Sequence, residues 1–173
     1  VTKTGNWSLN QGATAIAMSM ANTATLTWSD TIGTITISSN SSSNKTFQGN
    51  GLTYNNLSIT GGGTGAIIFT GANVFKKITV NSPKTITLSS TVNTQVGQFV
   101  ALGTLGNLIT LNASTGGSAA TLTKLGGGVI GTTWCSITDV NVAPSHTWYY
   151  GNHATFVSGT GWTAGDPPNF FLL

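Results

Sequence analysis

Residues 46–88 read TFQGNGLTYNNLSITGGGTGAIIFTGANVFKKITVNSPKTITL, and a short pattern in this stretch returns one turn later. Leu57-Ser58-Ile59-Thr60 is apolar, polar, apolar, polar, and Ile78-Thr79-Val80-Asn81 repeats it 21 residues on. Working outward, Ile35-Thr36-Ile37-Ser38 precedes it by 22, while Ile109-Thr110-Leu111-Asn112 and Cys135-Ser136-Ile137-Thr138 follow at steps of 31 and 26. A second column, Leu26, Phe47, Ile68 and Leu88, advances by 21, 21 and 20. Two apolar columns sharing one period near 21 predict a solenoid in which each repeat is one turn of a coil.

The punctuation between the apolar pairs agrees. Gly49-Asn50-Gly51, Asn55-Asn56, Gly61-Gly62-Gly63 and the run SSNSSSN at 38–44 supply residues that tolerate a positive φ at sharp corners. The segments between them are rich in Thr, Val and Ile, alternate with period two and are too short for helices. Three strands and three corners per turn give an all-β chain: a single-stranded right-handed parallel β-helix with rungs of about 21 residues. A β-sandwich is the alternative, since it also yields short alternating strands at spacings of roughly 8–12 residues; it gives no reason for a constant period. The step of 31 predicts an insertion within residues 91–107. Residues 1–24 read as an N-terminal strand and cap, with 13–24 compatible with helix or strand. Residues 25–125 read as the rungs, and 126–173 as aromatic-rich final rungs with a C-terminal cap and tail.

Composition bounds the function. Only 5% of the 173 residues are charged, against roughly a quarter in an ordinary soluble domain. The acids are Asp30, Asp139 and Asp166, there is no Glu and no Arg, and the formal net charge is +3. Three net charges are too few for a nucleic-acid surface, where affinity grows with the number of phosphates neutralised. No stretch approaches the ~18 consecutive apolar residues of a spanning helix, and no basic-then-apolar leader opens the chain. No nucleic-acid partner and no membrane insertion are therefore expected. Val1 is not Met, so the chain reads as processed or as part of a longer protein. Cys135 is alone and occupies an apolar slot of the repeat, which predicts a small buried hydrophobe.

Further along, GNGLTYNNLSIT at 49–60, the spaced ITV and ITL strands, WCSITDV at 134–140, HTWYYGNH at 146–153 and GTGW at 159–162 appear. Together they resemble β-helical segments of bacteriophage virion proteins of the tail-fibre and tail-spike kind. Thr147, Trp148, Tyr149, Gly151, Asn152, Thr160, Gly161 and Trp162 carry the closing signature, and the resemblance spans residues 25–163. It implies a structural role in a virion or outside a cell, and it carries across no catalytic residue.

Chemistry is sparse in the sequence itself. Glycoside hydrolysis usually needs two carboxylates about 5–9 Å apart. Asp139 and Asp166 form the one pair close in sequence, but Asp166 sits in a Gly-Asp-Pro-Pro turn and Asp139 follows a strand, where capping a corner amide is its expected task. A calcium-dependent lyase would lack its acidic ligands and its Arg. His146 and His153 fit no metal-ligand spacing, and 61–65 (GGGTG) lacks the Lys of a phosphate loop. The expectation is no catalytic residue, no metal and no cofactor.

The aromatic side chains Trp148, Tyr149, Tyr150 and Trp162 are the candidate contacts to a glycan or partner; the alternative is that they cap the last rung. Phe170, Phe171, Leu172 and Leu173 follow two prolines and are the candidate assembly contact. The function expected is a non-enzymatic structural virion protein, in a tail fibre, a spike or a capsid decoration. Its partners would be other virion subunits, copies of itself, or a cell-surface polysaccharide. An extracellular microbial fibre subunit or adhesin is the second reading, and a polysaccharide-degrading β-helix the third.

Overall fold

The computed structural model describes residues 7–9, 16–19 and 32–168. No helix occurs among them. The strands in chain order are β1 (Trp7–Leu9), β2 (Ile16–Ser19), β3 (Thr34–Ile37), β4 (Lys45–Gln48), β5 (Thr53–Ile59), β6 (Ile67–Thr70), β7 (Val74–Val80), β8 (Lys84–Leu88), β9 (Asn93–Ala101), β10 (Ile109–Ala113), β11 (Ala120–Lys124), β12 (Ile130–Gly131), β13 (Cys135–Thr138), β14 (Val140–Ala143), β15 (Trp148–Tyr149), β16 (Thr155–Phe156) and β17 (Trp162–Thr163). Every ladder between them is parallel. The chain is a β-solenoid of about six turns, and the β-sandwich alternative, which needs antiparallel sheets, is excluded.

One sheet stacks β1, β3, β5, β7, β9, β11 and β14; a second stacks β2, β4, β6, β8, β10, β13 and β16; a third stacks β12, β15 and β17. The long strands β5, β7 and β9 serve two faces. Their alternation of buried and exposed residues slips at 55–56, 76–77 and 97–98, one above another. Beyond β9 the two halves separate: β11 and β14 continue the first half, and β12, β15 and β17 continue the second.

The interior is a set of stacked columns. Ile35, Leu57, Ile78 and Phe99 are in register, as are Ile37, Ile59, Val80 and Ala101. Across the core, Phe47, Phe69, Leu88 and Ala113 form another column, and Ile67, Ile86, Leu111 and Ile137 a further one. Burying each such aliphatic or aromatic side chain stabilises the fold by about 1.5–3 kcal/mol. Four rings meet in the lower turns: Phe47, Tyr54, Phe69 and Phe75 pack with centroids 5.1–5.8 Å apart, and the Tyr54 hydroxyl donates to Gly49 O at 2.9 Å.

Three sequence expectations change here. Ile109 and Cys135 do not continue the Ile35–Leu57–Ile78 column; they stack on Lys84 in the second sheet. The true successor of Ile78 is Phe99, 21 residues on. The supposed insertion at 91–107 is therefore mostly strand β9, and the extra length is confined to 102–108, seven residues where 81–83 serve one turn below. Ile68 also faces outward, and its neighbour Phe69 takes the slot above Phe47. In an Ile-Ile-Phe run every position is apolar, so period two alone cannot choose the register.

The first, third and fourth Gly of GGGTG mark a close backbone approach. Gly63 N donates to Ser39 O and Gly65 N to Ser41 O. A Cβ at Gly61, Gly63 or Gly65 would lie 2.1–2.3 Å from the carbonyls of Ser39, Ser41 and Ser43. These glycines let one turn lie directly on the one below. At the N-terminus, β1 and β2 pair with β3 and β4 as ordinary strands of the coil. The rest of the proposed cap, Leu26, and the tail Phe170, Phe171, Leu172 and Leu173 lie outside the described residues.

Three of the lysines point inward. Lys45, Lys84 and Lys124 are each 1–6% exposed. Their aliphatic stems fill core slots. The Lys84 ammonium bonds Gly63 O, and Lys124 reaches Leu125 O at 3.3 Å, Gly126 O at 3.0 Å and Gly127 O. Burial lowers the Lys84 pKa from its ordinary value.

Candidate binding surface

The upper turns, residues 102–168, hold half of the described aromatic residues and most of the described titratable ones. Trp148 begins β15 and stacks between Ile130 below and Trp162 above. It is fully buried; its Nε1 donates to Ala143 O at 3.0 Å, and its ring lies 5.5 Å from Trp162, edge on. A ring in the core offers no face to an outside ligand, so Trp148 is a packing residue. Trp162 is half-buried and its Nε1 donates to Val140 O at 2.8 Å. Tyr150 lies flat against Phe156, 5.0 Å away and 7° from parallel, and both pack against the core. Tyr149 alternates outward on β15 and is half-buried. Of the four aromatics singled out from the sequence, two thus bridge the last turns with indole hydrogen bonds and one with a ring stack.

The titratable groups serve the corners. Asp139 joins β13 to β14 with φ +56°. Its Oδ2 accepts from Gly117 N at 2.8 Å and its Oδ1 from the Ser158 hydroxyl at 2.6 Å, while its own amide donates to Ser158 Oγ. The Ser158 and Gly117 hydrogen bonds hold its carboxyl below the usual range. This is the capping task read from the sequence. Asp166 accepts from Asn152 Nδ2 at 2.9 Å. Cys135 is fully buried, and burial pushes its thiol up to about 11. Among the described residues no three of His, Cys, Asp and Glu cluster as metal ligands would.

The most distinctive exposed geometry involves residues the sequence reading did not pair. Trp134 and His153 occupy the same corner in successive turns, between the third sheet and the second. Their rings stack 4.5 Å apart and 7° from parallel. His153 is exposed and Trp134 half-buried. Elsewhere, between β9 and the start of the third sheet, residues 125–129 are exposed and a groove of about 430 Å³ is lined by Phe99, Leu102, Val129 and Ile130. The pairing was available in principle. Trp134 precedes Cys135 by one residue and His153 precedes Thr155 by two, so both lie just ahead of paired strands of the second sheet; finding it required the turn length of 19, not 21.

Comparison with known protein families, with curated proteins and with solved structures returns no match.

Proposed function

We propose that the chain is a rigid, non-enzymatic structural element of a bacteriophage particle, in a tail fibre, a spike or a capsid decoration. The observation that supports it most is the unbroken columns from Ile35 to Phe99 and from Phe47 to Ala113. In such a stack each strand edge is covered by the next turn, which makes a stiff body without disulfides. The polar groups lend the same support: Asp139 and Asp166 are engaged in corner hydrogen bonds. The low charge leaves little repulsion against close neighbours, which suits packing against other virion subunits or further copies of the chain.

The test is composition of the particle. Virions purified from the phage encoding the chain contain it at a fixed ratio to the major capsid protein, measured by quantitative mass spectrometry. Its absence from them, self-polymerisation of the isolated chain into fibres, or release of reducing ends from a host polysaccharide would each replace this reading.

A further inference from the structure

The corner that carries Trp134 is built in three storeys. At the lowest, Trp134 holds φ +51°, a conformation rare for a bulky side chain and concentrated at functional positions. Its carbonyl accepts from Ile109 N at 3.1 Å and lies 2.3 Å from where a Cβ on Gly103 would sit, so only glycine fits beneath it. One turn up, Gly151 brings Asn152 and His153 over it: a Cβ on Gly151 would lie 2.3 Å from Thr132 O. At the top, Gly151 N donates to Gly165 O at 3.2 Å, which sets Asp166 beside Asn152, and their side chains join at 2.9 Å. A flat pair of rings and a planar amide–carboxylate pair thus share one corner, with His153, Asn152 and Asp166 all exposed.

We infer that this corner is a binding platform for a neutral saccharide. The exposed His153 ring, backed by Trp134, offers its outer side to the apolar face of a sugar ring, and the Asn152–Asp166 pair offers one amide donor and several acceptors for its hydroxyls. Charge selects the class. The lysines of the described residues lie on β4, β7, β8 and β11, three of them turned inward, and the formal charge within the platform is the Asp166 carboxylate. A nucleic-acid backbone, or a sialylated or sulfated glycan, would meet that carboxylate without a cation to offset it. An apolar side chain would desolvate Asn152 and Asp166 without replacing their hydrogen bonds to water. The platform rests on the proposed particle role only for the source of its ligand, a polysaccharide of a cell surface.

The full chain is titrated with neutral oligosaccharides of glucose, galactose and N-acetylglucosamine, and with sialyllactose as the charged probe, by calorimetry and indole fluorescence. At least one neutral oligosaccharide binds and sialyllactose does not. His153→Ala and Trp134→Ala each weaken binding about tenfold or more, the scale of losing a stacking contact, and Thr85→Ala on β8 leaves it unchanged. His153 is exposed, so its variant reads the platform even where Trp134→Ala disturbs the corner. No binding by any neutral probe, or undiminished binding by His153→Ala, overturns the platform. Incorporation into particles is scored separately. A chain found in particles that binds no saccharide overturns the platform alone, and one that binds saccharide but is absent from particles overturns the structural role alone.

Discussion

The lower turns, residues 45–101, and the upper turns, 102–168, reach the same solenoid by different means. In the lower turns β5, β7 and β9 run seven to nine residues, and the core is aliphatic columns around four packed rings. Three described residues there have positive φ, Asn50, Gly51 and Gly71, against eleven in the upper turns. The upper strands are two to five residues long, one sheet has become two, and Trp148 and Trp162 fill space that longer strands fill below. The difference teaches where each region keeps its stability. Below, it comes from register repeated turn after turn; above, from individual corners and two indoles.

The largest effects should come from the lower columns. Phe75→Ala removes the ring that touches Phe47, Tyr54 and Phe69, and a loss of about 3–5 kcal/mol is expected in denaturant unfolding. Ile59→Asn, burying an amide where Ile59 now has no exposed surface, should be at least as damaging. A stability loss under about 1 kcal/mol from either would dissolve the contrast with the upper turns.

Next comes a test within the upper turns. Trp148→Phe keeps a ring but removes the donor to Ala143 O, so it should cost less than Phe75→Ala while lowering the melting temperature measurably. Protease digestion should then cut first within 125–168 and leave the lower turns intact. Simultaneous loss of both regions would show one cooperative unit and erase the distinction drawn here.

How much of this was legible in the sequence follows the same division. The period of 21 could be read from Leu57, Ile59, Ile78 and Val80 because the corners there are nearly constant in length. It misled at Ile109, because the seven-residue loop 102–108 hid Phe99 as the true successor of Ile78. The burial of Cys135 read correctly, though its column did not: it stacks on Ile109 in the second sheet. The inward lysines did not: a charged residue at either end of a strand reads as exposed, and the apolar pattern does not reveal that Gly63 or Gly126 will present a carbonyl to it. Trp148 was legible as an important aromatic but not as a buried one, because it stacks on Ile130 and Trp162, residues far away in the chain. His153 and Trp134 escape pairing at a period of 21, because the turn between them is 19 residues long.

A smaller effect separates the two regions by pH. Burial raises the Cys135 thiol from about 9 to about 11, so the folded state holds that proton longer than the unfolded chain does. Stability is then lost as pH rises from 9 towards 11, by up to about 2–3 kcal/mol. Tyr54, raised by burial in the lower turns, adds a loss that begins above its ordinary value of 10. Lys84, lowered by burial, opposes both, since its contribution is recovered as pH rises through its lowered value. Cys135→Ala should flatten the melting-temperature decline between pH 9 and 10 and leave the steeper fall above 10. An unchanged profile would mean the thiol is not enclosed. The smallest effect is at Gly127, where a Cβ meets nothing within 4 Å; Gly127→Ala should change stability by less than about 0.5 kcal/mol, while Gly61→Ala, pressed on Ser39 O at 2.1 Å, should be severe. Equal tolerance at the two would be seen in their unfolding midpoints.

The register of the coil is tested most directly by locating the neighbours of Ile78. A high-resolution experimental structure, or interstrand NMR contacts in labelled protein, should place Leu57 and Phe99 on either side of it in parallel strands, each about 4.8 Å away, and Ile109 against Lys84 in the other sheet. Ile109 beside Ile78, or an antiparallel neighbour on either side, would contradict the solenoid described here.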